Sequence, residues 1–214
     1  MPSEGDHRPM TSVQVVSKRP SSRGAARKKS IIEAATRMFA RNGSRGTTLG
    51  EIAAEVGVSQ AAVVYHFGTK EELLNAVLDN RDRFEDTQLW RDGPDPGLNI
   101  FWIVADIVRS WADQPEVVGL LAVLLAENVT DDGPLRPRLR GNYQLTVQRI
   151  ADTLGKAVER GEMRADVDPR LKAAELLAFL SGLELAWIVS PDIPAAETAS
   201  NWAAQQVAWL AWSA

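Results

Sequence analysis

The sequence predicts an all-α fold, with a small three-helix unit near the N-terminus and a larger helical bundle after it. Three observations carry this. Apolar residues recur at i, i+3, i+4 and i+7 along most segments, and no segment shows strand alternation. Breaks rich in Gly and Pro at 92–97, 130–134 and 190–194 divide the chain into helix-length pieces. Charge divides it too: residues 1–70 hold eleven Lys/Arg against five Asp/Glu, and residues 71–214 hold thirteen against twenty-three. A net charge of −4 therefore conceals a basic N-terminal third, the charge distribution of a chain with a nucleic-acid partner.

Composition narrows the classes. With 214 residues, 45% hydrophobic and 24% charged, the chain suits one sizeable globular domain or a small one fused to a larger one. It has no cysteine, which excludes disulfides, thiol nucleophiles and thiolate metal sites. The two histidines, His7 and His66, lie far apart, so no metal and no cofactor is expected. The longest apolar run, Val117–Ala126, is too short to span a bilayer, and the N-terminal residues lack the apolar core of a signal peptide. A cytoplasmic protein with no membrane partner is expected.

Residues 1–22 mix Pro, Ser, Gly and charges without periodicity and read as a disordered basic tail. Lys18, Arg19 and Arg23 would suit an arm entering a minor groove; the plainer alternative is a solvated tail. A helix begins near Gly24–Arg27, buries Ile31, Ile32, Ala35, Met38 and Phe39, and stops at Asn42-Gly43. Residues 23–69 are expected to form the first domain and 70–214 the second.

The stretch TTLGEIAAEVGVSQAAVVYHFGTK, residues 47–70, is the most specific signal. Leu49, Ile52, Ala53 and Val56 make one helix face apolar. Thr48 and Glu51 have the spacing of a capping box. Gly57 suits the left-handed turn after that helix, and Ser59 suits the cap of the next. With Val63 and Phe67 inward, the outward residues are Gln60, Ala61, Ala62, Val64, Tyr65 and His66. That surface is short-chained and nearly uncharged, as a helix pressed against base edges must be. An αα-hairpin that merely packs is the plain alternative; the basic run from Lys18 to Lys29 argues against it.

The remaining elements follow from caps and stripes. Thr69 caps a helix that starts with Glu71 and Glu72, buries Leu73, Leu74, Val77 and Leu78, and runs on through Arg91. Ile100 to Trp111 is apolar on most sides. Pro115 starts a helix carrying Val117–Ala126, and another runs from about Pro137 to Arg160, ended by Gly161. Asp168-Pro169 opens the apolar segment Leu171–Val189, and a last helix aligns Ala199, Ala203, Val207 and Leu210.

In order, RKKSIIEAATRMFARNG, TTLGEIAAEVGVSQAAVVYHF and GTKEELLNAVL resemble the TetR-type family of one-component transcriptional regulators over residues 27–78. AENVTDDGPLRPRL and EMRADVDPRLKAAELLAFLSGLELAWIVSPD resemble, more loosely, the ligand-binding bundle of a common subgroup. The resemblance implies a homodimer that binds double-stranded DNA and is released by a small-molecule effector. It implies that Gln60, Ala61, Ala62 and Val64 face bases, and that Tyr65, His66 and Lys70 meet phosphates. Thr47 and Thr48 match the start of the helix that abuts the backbone. Two departures remove hydrogen-bonding groups: Gly50 stands where arginine or another polar residue is frequent, and Val64 where tyrosine is common.

For the effector, Phe101, Trp102 and Trp111 are the apolar candidates. Asp106, Glu127, Asn128, Tyr143 and Glu184 are polar residues in apolar runs that could orient a ligand, with Gln148 and Arg149 bordering the same space. The alternative for each is core packing or solvent exposure. Leu176, Leu180, Leu183 and Trp187 form one stripe, and Ala178, Gly182, Leu185 and Ala186 another that suits a four-helix dimer interface. The alternative functions are an architectural DNA binder without effector and a helical enzyme on a hydrophobic substrate. The enzyme finds no catalytic signature in the chain.

Overall fold

Why these residues become helices is visible at their ends. In the computed structural model, which describes residues 22–90, 95–113, 115–128 and 133–211, the chain forms α1 (Ser22–Asn42), α2 (Leu49–Glu55), α3 (Gln60–Phe67), α4 (Lys70–Leu89), α5 (Ile100–Ser110), α6 (Pro115–Glu127), α7 (Arg136–Glu159), α8 (Pro169–Val189) and α9 (Ala195–Leu210). Two short 3-10 turns, Gly97–Asn99 and Trp111–Asp113, flank α5. Among the described residues there is no strand, so the all-α class holds. Lys18, Arg19 and the rest of the expected arm lie outside the described residues, except that Arg23 is exposed in the first turn of α1.

Capping matches the sequence signals. The Thr48 hydroxyl accepts from the Glu51 N–H at 3.2 Å, and the Glu51 carboxylate accepts from the Thr48 N–H at 2.8 Å. Thr69 and Glu72 repeat that exchange at the start of α4, at 2.8 and 3.1 Å. Asp168 accepts from the N–H groups of Arg170 and Leu171, with Pro169 at the first helical position.

Two apolar cores result. The first gathers Ile31, Ala35 and Phe39 of α1, Ile52 of α2, Val63 and Phe67 of α3, and Leu73 and Val77 of α4. It is completed from beyond the helix-turn-helix, by Leu120 and Leu124 of α6 and by Leu135 and Leu139 at the start of α7. Leu120 and Leu124 are fully buried, and such side chains contribute roughly 1.5–3 kcal/mol each. The second core joins α5, α7, α8 and α9 and takes Leu89 from the far end of α4. Phe179 stacks on Trp202 with ring centroids 4.0 Å apart, and Phe101 lies 5.5 Å from the same Trp202. Helices α4 and α7 thus belong to both halves of the molecule, and α6 reaches the second core through the half-buried Val118.

Candidate nucleic-acid interface and ligand cleft

Helix α3 is a two-turn rod held by its ends and its inner face. Ser59 caps it, accepting from the Ala62 N–H at 3.2 Å, and Gly68 ends it at a φ of +73°, a conformation that favours glycine. Val63 and Phe67 point into the first core. Gln60, Ala61, Val64 and Tyr65 are exposed, Tyr65 by 85%, while Ala62 and His66 are half-buried. The Tyr65 and His66 rings meet edge to face at 5.3 Å. The surface contains no carboxylate. Gly50 of α2 leaves room for the Gln60 amide: a Cβ there would lie 3.2 Å from its Oε1.

The structure places two expected backbone contacts differently. Thr47 is fully buried, and its hydroxyl donates to the carbonyls of Gly43 at 2.9 Å and Met38 at 3.3 Å. Its side chain ties the α1–α2 loop together and offers no surface to a partner. Lys70 turns inward: its Nζ donates to the Ser44 carbonyl at 2.9 Å and the Thr47 carbonyl at 3.2 Å. An ammonium at a helix N-terminus opposes the helix dipole, and two backbone carbonyls offset that conflict here. Thr48 is exposed as the cap of α2.

A second site lies between the cores. A cleft open to solvent offers a cavity of about 110 Å³. Its walls are Leu78 and Leu89 of α4, Ile107 of α5, Leu121 and Leu125 of α6, Leu139 of α7, and Leu177 and Leu180 of α8. Its polar groups are Arg81, Asp82, Arg138, Asn142, Tyr143, Thr146, Ser181 and Glu184. Arg138 binds α7 to α4: it donates to the Asn75 carbonyl and side chain at 3.1 and 2.9 Å, to Asp79 at 2.7 Å and to Asp82 at 3.1 Å. Asn142 donates to the other oxygen of Asp82 at 2.9 Å. A mostly apolar concavity with a few convergent polar groups is what a small-molecule site requires.

Of the six expected effector contacts, Tyr143 alone lines this cleft. Phe101 is fully buried against Trp202, and Trp111 packs on Trp187 with centroids 5.8 Å apart. Trp102 is exposed on the outer face of α5, and Asp106 is exposed and paired with Arg109. Glu127 accepts from the N–H groups of Ser44 and Arg45, at 2.9 and 3.2 Å. Phe101, Trp111 and Glu127 are taken up by partners from other elements, which the periodicity of their own helices does not reveal, whereas Asp106 pairs within α5 and Trp102 faces solvent. Among the other polar candidates, Glu184 lines the cleft. Asn128 instead bridges the Leu124 carbonyl and the Leu135 N–H, Gln148 donates to Asp152, and Arg149 stacks 3.7 Å from the Trp90 ring centroid. Sequence reasoning missed Arg138, Asn142 and Asp82, whose partners are 56 to 63 residues away along the chain.

Residues 31–77 match the family model for bacterial regulatory proteins of the tetR family, and residues 103–211 match that for the C-terminal part of BetI-type transcriptional repressors. The chain is 29% identical over 168 residues to the HTH-type transcriptional regulator TtgR of Pseudomonas putida, covering 76% of this chain and 80% of TtgR. It is 30% identical over 155 residues to the HTH-type transcriptional repressor Rv3405c of Mycobacterium tuberculosis, covering 72% and 70%. A TetR transcriptional regulator from Chloroflexus aurantiacus superposes with a TM-score of 0.73 at 23% identity, covering 89% of this chain and 98% of that one. SmeT, repressor of a Stenotrophomonas maltophilia multidrug efflux pump, in its complex with triclosan superposes with a TM-score of 0.73 at 20% identity, covering 85% and 90%. The last two comparisons establish the fold.

Proposed function

The chain belongs to the TetR family of bacterial regulatory proteins, and from that premise we propose that it is a repressor that reads a palindromic operator as a homodimer. A small, largely apolar effector in the α4–α8 cleft releases it. The family is one of transcriptional regulators, which sets the enzyme reading aside. The observation that carries the proposal is α3: a capped, exposed, nearly uncharged helix whose Phe67 ring lies 5.4 Å from the ammonium of Lys28, on an α1 that also exposes Arg23, Arg27 and Lys29. In this reading Gln60, Ala61, Ala62 and Val64 meet base edges, and Tyr65, His66 and Thr48 meet the backbone.

Dimerisation has a face to use. Leu171, Ala178, Gly182, Leu185, Ala186 and Val189 are exposed along α8, and Ala204, Ala208 and Trp209 along α9. Burying them against the same surface of a second copy gives a two-fold axis, which a palindrome requires. Release follows when an effector prefers a spacing of the two α3 helices that fits the duplex poorly. An architectural binder without effector has no use for the cleft. Among the described residues no helix is long and apolar enough to cross a membrane, and a cytoplasmic location is part of the proposal.

The test is selection of duplexes from genomic fragments by the purified protein, then a search for compounds that abolish binding. Triclosan comes first, because SmeT, of the same fold, forms a complex with it. Enrichment of one palindrome by a two-chain species in sedimentation supports the proposal. Sequence-indifferent binding, or a monomer on the selected duplex, overturns it.

A further inference from the structure

Glu127 is the last residue of α6, where the helix dipole disfavours a carboxylate. What holds it there is the α1–α2 loop. Its two oxygens accept from the backbone N–H groups of Ser44 and Arg45, and its own carbonyl accepts from the Arg45 guanidinium at 3.3 Å. The loop is shaped to receive it. Gly43 sits at a φ of +73°, and a Cβ at that position would lie 2.2 Å from Glu127 Oε1. On the other side of the loop, Lys70 holds the carbonyls of Ser44 and Thr47. The next residue, Thr48, caps α2, so this loop sets where the helix-turn-helix begins. The same α6 contributes Leu121 and Leu125 to the cleft and Leu120 and Leu124 to the first core.

We propose that Glu127 is a positioning residue for DNA reading: its grip on the Ser44 and Arg45 amides fixes the angle at which α2 and α3 are presented, without touching DNA. The proposal rests on the DNA-reading role of α3 given above. Electrostatics gives it a distinctive sign. Removing a negative charge raises attraction to any duplex. Loss of a positioning contact lowers affinity for the preferred duplex alone. Hydrogen bonds to a charged group are strong enough for that loss to reach about tenfold.

The experiment uses the full chain as wild type, Glu127→Gln, Glu127→Ala and Tyr65→Ala, with the duplex selected by the wild type and an unrelated duplex of equal length. Circular dichroism confirms folding, and Glu127→Gln, which is isosteric, carries the test if Glu127→Ala does not fold. In both Glu127 variants the amides of Ser44 and Arg45 should exchange with solvent faster. The selected duplex should bind about tenfold more weakly, the unrelated duplex as well or better, and the salt slope should be unchanged. Unaltered or tighter binding of the selected duplex overturns the proposal, as does undiminished protection of the two amides. In either case a loss in Tyr65→Ala leaves the DNA-reading function standing. If the wild type selects no duplex, both readings fall.

Discussion

Glu127 and Lys70 hold one residue from opposite sides: the Ser44 N–H donates to Glu127 Oε2 at 2.9 Å, and the Ser44 carbonyl accepts from Lys70 Nζ at 2.9 Å. The loop that introduces the helix-turn-helix is therefore clamped by one acid from α6 and one base from α4. A loop with its backbone groups paired in this way has few alternative conformations.

Replacing Lys70 with Met leaves two loop carbonyls without their charged donor. Thermal unfolding should show a loss of about 1–2 kcal/mol. Operator affinity should fall, yet the slope of affinity against salt should stay the same. A slope lower by about one would instead mark Lys70 as a phosphate contact.

Tyr65 presents the opposite case. With 85% exposure it supports little structure, so Tyr65→Ala should unfold within about 0.5 kcal/mol of wild type. Gel-shift titration should nevertheless show operator binding about tenfold weaker, as loss of one good contact at such an interface implies.

Gly43 and Gly57 separate strain from contact. Both have positive φ, +73° and +67°, but nothing lies within 4 Å of a Cβ built at Gly57. Gly57→Ala should lose about 1–2 kcal/mol in denaturant unfolding, the left-handed penalty alone. Gly43→Ala should lose more, because its methyl group also displaces the Glu127 carboxylate.

Burial pushes the pKa of Glu127 up, but the hydrogen bonds from Ser44 and Arg45 outweigh it and hold the carboxyl below its ordinary 4.5. A group depressed in the folded state stabilises fully above its unfolded value, and that contribution disappears as pH falls through the folded value. The stability gap between wild type and Glu127→Gln should therefore be widest well above 4.5 and shrink on acidification below it. Glu51, Asp95, Glu162 and Asp166 are also depressed, but they are common to both proteins and cancel in the difference.

Local signals were legible in the sequence. The Thr48–Glu51 box, the Ser59 cap, the glycine stops and the inward Val63 and Phe67 all depend on residues within one or two turns of one another. Those signals suffice for the helices and for which face of α3 is outward. The cleft was not legible in the same way. Phe101 and Trp111 have the spacing of pocket residues, but Trp202 and Trp187, from helices far along the chain, fill the space around them. Glu127 has the look of a polar group in an apolar run, and its partners lie 82 and 83 residues away. Lys70 is ambiguous for a related reason: a lone cation at a helix start announces a partner without saying whether it is phosphate or backbone.

The central claim is that the exposed face of α3 reads duplex DNA, and amide hydrogen exchange on the wild-type protein, with and without its selected palindrome, tests it most directly. Slowed exchange over 60–66, confined to the selected palindrome and absent with an unrelated duplex, is the predicted result. Protection elsewhere that leaves 60–66 unchanged would contradict the account.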